Sequence, residues 1–381
     1  MSDVLDLAAG VAALGAGAGA LYLLAVWFAV RRFARRPPDR PDPVRRPAVT
    51  ILKPLHGEDP ELYTNLRSFC RQIYPRVQVV FGVRDPDDPA AAIARQLIAD
   101  LPEADLTLVV DAREYGTNRK VSNLINMMAA ARHAVLVLAD SDMRVGTDYV
   151  DRLVAALGEP GVGLVTCLYR ATPAANLWSR LGALFINHWF LPSVLVGTLV
   201  RPWPGCFGAT IALHRETLRQ IGGFERFCDQ LADDYRLGAA VAEAGFRVVL
   251  SRYLVEDVLV EPDAATLISH ELRWARTIRS IAPFDYAAAA VTHPVALGLL
   301  AALLGGLSGA GLAVFLAVLA WRLIVVRMID IAFALPRQAL WLVPLRDLLS
   351  FGLLIASFCG KKVAWRGQEF RLAADGRLIS D

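Results

Sequence analysis

Two regimes of hydrophobic patterning divide this chain. Residues 7–30 form an apolar run without a charge, and residues 294–320 form a second one rich in glycine. Each is long enough to cross a bilayer core, which takes about 20 helical residues. Residues 340–358 make a weaker third run because Arg346 and Asp347 interrupt it. Such charges must face protein, a cavity or the interface, and as sequence neighbours they neutralise each other only in part. Residues 321–335 carry Arg322, Arg327 and Asp330 among apolar positions and read as an interfacial helix. From Ala48 onward, short apolar runs alternate with longer mixed stretches. Runs 49–52, 77–83, 106–110 and 134–139 predict strands buried on both faces. Stretches 60–72, 89–99 and 120–132 have helical spacing, with Asp59 and Asp88 placed to cap the first two. This alternation predicts an α/β domain built on a mostly parallel, Rossmann-like sheet.

Charge then orients the apolar runs. Arg31, Arg32, Arg35, Arg36, Arg40, Arg45 and Arg46 crowd the far side of the first run, while Asp3 and Asp6 precede it. The positive-inside rule therefore puts the amino terminus outside and everything from Arg31 onward initially in the cytoplasm. A cleavable signal peptide would carry its basic residues ahead of the apolar run, so residues 1–30 read as a retained anchor. The Pro-rich segment 31–47 reads as a stiff spacer whose arginines suit anionic lipid headgroups. The main domain then covers 48–285, a membrane region 286–359, and a tail 360–381 whose Lys361, Lys362 and Arg366 two C-terminal spans would return to the cytoplasm. A hydrophobic content of 55% and mean hydropathy of +0.41 exclude an ordinary soluble domain. A net charge of +3 makes no case for nucleic acid. Cys70, Cys167, Cys206, Cys228 and Cys359 show neither zinc spacing nor a disulfide framework, and they suit a reducing compartment.

The chemistry sits where strands should end. Asp85 follows the second strand, and Asp140 and Asp142 follow the fourth, at the edge where parallel sheets bind ligands. Two carboxylates one residue apart on a tight turn can converge on a divalent cation that bridges phosphate oxygens, although a lone Asp-Ser-Asp also serves as a plain turn. Gly116 to Lys120 offers a turn and two cations ahead of a helix, a place for phosphates or a ribose. Around Cys206 and Gly208 a small-residue turn would let backbone approach a sugar. Asp233 and Asp234 open a helix that runs to Glu243; one of them would cap it, leaving the other to take a proton from an acceptor hydroxyl. From His270 to Arg279, three arginines at helical spacing flank Trp274. That pattern suits a basic helix on a membrane surface, and it also lets Arg273 stabilise a departing diphosphate. Among the histidines, His188 stands out for its aromatic setting, Phe185 to Phe190, which would either guide a membrane acceptor or pack as core.

These motifs, in this order, resemble those of the membrane-bound glycosyltransferases of GT-A type, and most closely the ceramide glucosyltransferase family. The resemblance rests on Leu52-Lys53-Pro54-Leu55, Asp85-Pro86-Asp87-Asp88, Asn118-Arg119-Lys120, Asp140-Ser141-Asp142, Asp233-Asp234-Tyr235, Arg273-Trp274 and the tail from Trp365 to Leu372. It implies a UDP-sugar donor, Mg2+ or Mn2+, and inversion at the anomeric carbon. By position it implies Asp234 as general base, Asp140 and Asp142 at the metal, and Lys53, Asp85, Asn118, Lys120, Arg273 and Trp274 on the donor. It puts His188, Cys206, Gly208, Asp233 and His270 on the acceptor side. His270 stands where the family usually has Gln or Arg. Bacterial glycosyltransferases of hopanoid biosynthesis belong to the same group and are similar around residues 178–192 and 270–280. The acceptor implied is a membrane lipid, ceramide or a hopanoid polyol, in a phospholipid membrane, with a bacterial inner membrane as the setting. A processive polysaccharide synthase would need more spans and a Gln-led motif, and a non-catalytic scaffold would not need every carboxylate.

Overall fold

The computed structural model describes residues 2–39, 46–202, 204–360, 362–365, 368–372 and 378–380. Arg40, Arg45, Lys361 and Arg366 lie outside the described residues. Helix α1 (Ser2–Ala34) leads into strands β1 (Val49–Pro54), β2 (Val77–Val83), β3 (Asp105–Val110) and β4 (Val135–Leu138), which alternate with α2 (Leu62–Cys70), α3 (Pro89–Asp100) and α4 (Arg119–Met127). Alternate side chains feed two cores. Ile51, Val79 and Phe81 pack with the α2 and α3 side, while Leu52, Val80, Leu136 and Leu138 meet Val121, Leu124 and Met127 of α4. Asp88 caps α3, accepting from the Ala90 amide at 2.9 Å, with Pro89 in the first turn. Asp59 does not cap α2. Glu61 holds that position in a left-handed conformation (φ 62°), and Asp59 instead accepts from Ser141 Oγ at 2.5 Å.

The second half contributes β5 (Met143–Arg144), α5 (Tyr149–Leu157), β6 (Val162–Pro173), α6 (Leu177–Phe185), a π-turn over Ile186–Phe190, α7 (Leu191–Val200), β7 (Ile211–His214), α8 (Arg215–Gln220), α9 (Asp233–Glu243) and β8 (Arg247–Leu259). The eight strands pair in the order β3-β2-β1-β4-β7-β6-β8-β5. Strands β1 to β4 are mutually parallel, as are β6 and β8, whereas β7 runs antiparallel to β4 and β6, and β5 antiparallel to β8. The sheet is therefore mixed. At its edge β3 is half-exposed rather than buried on both faces, since only β2 flanks it. The order reverses at β1, which has β2 on one side and β4 on the other, and this opens a cleft at the carboxyl ends of the two central strands.

The C-terminal third departs most from expectation. It comprises α10 (Ala264–Ile281), α11 (Pro283–Ala288), α12 (Pro294–Leu304), α13 (Gly309–Phe333), α14 (Leu342–Ser357) and an antiparallel sheet of β9 (Lys362–Trp365), β10 (Gln368–Leu372) and β11 (Leu378–Ser380). The apolar run 294–320 breaks between α12 and α13, where Gly306 and Leu307 take positive φ. Residues 321–333 then continue α13 rather than forming a separate interfacial helix. With 16 residues, α14 extends only about 24 Å at 1.5 Å per residue, short of a bilayer core of about 30 Å. Three helices among the described residues are long and apolar enough to cross a membrane: Asp3–Ala34, Leu177–Val200 and Gly309–Phe333. A fourth arises if the pair Pro283–Thr292 and Pro294–Leu304, bent by 66°, is one span. The segment 177–200 escapes a reading by apolar runs because Arg180, Asn187 and His188 punctuate it.

Arginines of the sheet and of α10 receive the ends of these helices. Arg252 donates to the Ala34 carbonyl at 2.7 Å and Arg170 to the Phe333 carbonyl at 3.5 Å, so α1 and α13 end side by side, with Phe33 and Phe333 6.2 Å apart. Arg276 and Arg279 reach the Cys359 and Gly360 carbonyls just past α14. Cations at helix C-termini satisfy orphan carbonyls and complement the dipole. Charges within the helices pair across helices as well. Arg346 clasps Glu271 of α10 at 2.8 and 2.6 Å, and Asp347 accepts from Arg322 of α13 at 2.9 and 3.0 Å. Adjacent positions on a helix do not face each other, so Arg346 and Asp347 serve different neighbours instead of neutralising one another.

Glu271 and Arg346 are both buried. Removing one partner strands the other, which costs about 3–5 kcal/mol, whereas replacing both with apolar residues is far milder. Glu271→Gln and Arg346→Met should each lower the melting temperature of the detergent-solubilised protein sharply, and Glu271→Leu/Arg346→Met should recover most of the loss. Wild-type melting in either single variant would mean that water screens the pair.

Candidate active site

Four elements bring carboxylates and lysines to the cleft. Lys53, near the end of β1, is fully buried; its Nζ donates to the Asp140 carbonyl and lies 3.8 Å from the Phe69 ring centroid. Lys120, in the first turn of α4, donates to Asp140 Oδ1 at 2.5 Å. Asn118 caps that helix through the Val121 amide at 3.1 Å, and its Nδ2 reaches Asp233 Oδ1 at 3.3 Å. Asp234 Oδ2 accepts from the Gly208 amide at 3.0 Å, and Oδ1 from the Tyr235 amide at 2.7 Å. Gly208 lets the Lys120–Asp140 ion pair sit close. A Cβ would stand 2.7 Å from Asp140 Oδ2 and 3.1 Å from Lys120 Nζ, and both side-chain ends would have to shift. The cavity between Lys120, Asp140, Gly208 and Asp233 measures about 10 Å³, room for at most one water.

Burial dominates the electrostatics. It pushes the Asp142 carboxyl up to about 7, with Asp140 and Asp59 adding to the rise. Burial pulls the Lys53 ammonium down to about 7 against the opposing pull of Asp142 and Asp140. Asp233 is pushed up to about 6 by burial, opposed by Lys120. Asp234 is raised by burial too, although Lys120 and its two backbone amides resist. Burial lowers the Lys120 ammonium, but Asp140 and Asp233 outweigh it and the group ends above its ordinary value. Asp142 Oδ1 is buried without a hydrogen-bond partner. A buried orphan oxygen in a crowd of carboxylates suits an added cation. Among the described residues no three His, Cys, Asp or Glu side chains are already arranged as a metal cage, so any ion here would need oxygens from a ligand as well.

The other expected residues have partners of their own. Neither Asp233 nor Asp234 caps α9; Ala232 takes that position, and both carboxylates lie in the first turn facing the cleft. The turn before α4 offers fewer donors to an anion than expected. The Thr117 amide is held by Asp229 and the Asn118 amide by the Cys228 carbonyl, while Arg119 pairs with Glu114. Asp85 is exposed beyond β2, accepting from the Asp87 amide. Cys206 is buried and its thiol donates to the Asp234 carbonyl, which makes it a support for that residue. His188 is buried in the helix layer, bonded to Asp330 at 2.8 Å. Trp274 stacks on Phe185 at 6.2 Å, and Phe185 on Trp189 at 5.1 Å; the Arg273 guanidinium lies 5.9 Å from the Trp274 ring. His270 Nδ1 meets Glu261 at 2.9 Å.

Sequence reasoning missed Asp257 and Glu261. Both are buried, and burial followed by Asp142 and Asp140 drives the Asp257 carboxyl well above its ordinary value. The signal was present. Positions 255, 257, 259 and 261 are all inward, so two carboxylates occupy the core-facing register of an alternating strand and its extension.

Comparison with known proteins decides the family. The profile described as "Glycosyl transferase family 21" matches residues 10–378. The chain belongs to glycosyl transferase family 21. Ceramide glucosyltransferase 1 of Caenorhabditis elegans is 22% identical over 367 residues, 94% of this chain and 78% of that protein. The ceramide glucosyltransferase of Candida albicans is 34% identical over 121 residues, which is 29% of this chain and 22% of that one. A mannosyltransferase of Pyrobaculum calidifontis, solved with GDP-Man and Mn2+, shares the fold with a TM-score of 0.57, 21% identity, and coverage of 94% of this chain and 98% of that one. The sheet is that of the GT-A glycosyltransferases, and the family member described here is a hexosyltransferase.

Asp142 offers a direct test of the cleft's electrostatics. Its folded value of about 7 lies above the ordinary 3.8. The folded chain thus holds a proton that the unfolded chain releases. That contribution to stability is fully present below the unfolded value and disappears as pH rises through the folded one. In EDTA-containing buffer, Asp142→Asn should therefore gain stability relative to wild type between pH 5 and pH 8. Melting curves that stay parallel across that window would contradict the raised value.

Proposed function

We propose that this protein is an inverting membrane glycosyltransferase that moves a hexose from a UDP-sugar to the hydroxyl of a ceramide-like lipid. The observation that carries the reading is the Asp234 carboxylate, held by the Gly208 and Tyr235 amides in the cleft that also holds Asp140 and Lys120. The lipid hydroxyl loses its proton to Asp234 as its oxygen attacks the anomeric carbon. The bond to the diphosphate breaks on the opposite face, and Lys120 and Arg273 stabilise the charge that departs. Asp85, beyond β2, takes the uridine. Asp140 and Asp142 fit Mg2+ or Mn2+, because an orphan oxygen on Asp142 awaits a cation; the bound ion would neutralise diphosphate charge. The mannosyltransferase of the same fold was solved with Mn2+.

The lipid acceptor is supported by the ceramide glucosyltransferase relatives and by apolar helices packed directly on the catalytic sheet. The catalytic domain then faces the cytoplasm, at a bacterial inner membrane. A hopanoid polyol is the second reading. It rests on the resemblance of residues 178–192 and 270–280 to the hopanoid enzymes, two segments that the stack of Trp274 on Phe185 brings together.

General-base assistance contributes about 10^2 to 10^4 in rate. Asp234→Asn should lose transfer by that order while still binding UDP in calorimetry; retention of most activity would remove Asp234 from the role. EDTA should stop transfer by membranes supplied with UDP-glucose or UDP-N-acetylglucosamine and extracted lipids, and Mg2+ or Mn2+ should restore it. The product mass then identifies sugar and acceptor together, and indifference to EDTA would count against the metal.

A further inference from the structure

The arginines that follow the first apolar run play no part in the chemistry above, and the structure gives two of them a distinctive place. An open groove of about 690 Å³ runs between the end of α1 and the second half of α13, floored by Leu323, Ile324 and Ile331 and bordered by Arg31, Arg35 and Arg327. A second hollow of about 550 Å³ lies on α1 alone, where Trp27 and Phe28 meet Arg31, Arg32, Arg35 and Arg36. Arg31 and Arg35 are exposed, stand one helical turn apart and border the apolar groove against α13. Arg327 is already engaged by Asp330 and the Gln338 carbonyl. Neither Arg31 nor Arg35 forms an ion pair among the described residues; Arg31 lies 4.7 Å from the Trp27 ring.

We propose that Arg31 and Arg35 hold the phosphate of one anionic phospholipid that lays an acyl chain in the groove against α13. Two features select this occupant. The groove opens on α1 and α13, which are long and apolar enough to cross a bilayer, so lipid is what meets it. Two cations at the head of an apolar groove complement an anionic headgroup and not a zwitterionic one. The Phe33 and Ala34 end of α1 is joined to β8 through Arg252, so the bound lipid would brace the catalytic sheet against the bilayer. The inference rests on the membrane placement in the proposed function and is independent of donor and acceptor.

The full chain, reconstituted in nanodiscs of equal dioleoyl phosphatidylglycerol and dioleoyl phosphatidylcholine and then released for native mass spectrometry, should retain one phosphatidylglycerol in preference to phosphatidylcholine. Each arginine near a membrane surface adds about a fivefold preference for anionic lipid, so Arg31→Gln/Arg35→Gln should reduce the retained phosphatidylglycerol by about tenfold or more. Ala332→Trp, which keeps every arginine and fills the α13 groove, should displace it as well. Glycerol phosphate, which has the headgroup charge without the chains, should not compete. Equal retention of both lipids by wild type, undiminished retention in Ala332→Trp, or displacement by glycerol phosphate would each overturn the assignment. If the protein still sediments with membranes and transfers sugar, any of those outcomes leaves the proposed function standing.

Discussion

Buried charge in the helical layer is the constraint on which the rest of this molecule depends. Arg322 with Asp347, Arg346 with Glu271, and His188 with Asp330 are all sequestered from water. An unpaired charge in such surroundings is costly, so each helix is obliged to sit where its partner can reach it. Packing of apolar side chains alone would let these helices slide, because one apolar face fits another at many registers. The ion pairs select one register.

The consequence reaches the active site through α10. That helix carries Glu271, which is fastened to α14, and two positions later Arg273 beside Trp274, which is stacked on α6. Arg276 and Arg279 continue the same helix to the end of α14. The basic-aromatic motif therefore cannot move relative to the helical layer without breaking buried ion pairs. In the reaction proposed above, this coupling would join an acceptor arriving from the bilayer to a donor arriving from water.

Within the cleft, charge balance explains the residue choices. Asp140 draws in both Lys53 and Lys120, and Gly208 leaves room for that meeting. Burial pushes the Asp142 and Asp257 carboxyls upward, and the carboxylates around them add to the rise. A site poised in this way gains by admitting a cation together with a diphosphate. The same crowding sets Asp234 apart. Two backbone amides hold its carboxylate in place without supplying a proton.

Strands β1, β2 and β4, the capping of α3 by Asp88, the span of α9 and the family motifs were legible in the residues, because each follows from periodicity or local hydrogen bonding over a few positions. That information is carried by neighbours in the chain, which is why it survives without coordinates. The antiparallel insertion of β7, the fate of Asp59, the break between α12 and α13, and the separate partners of Arg346 and Asp347 were decided by tertiary structure. So were the roles of Asp257 and Glu261, whose alternation was visible but whose neighbours were not. Each of these depends on which distant side chain fills the space opposite, and a buried charge or an orphan amide accepts whatever partner the fold delivers. Local pattern determined which elements form, and long-range pairing of polar groups determined where they meet.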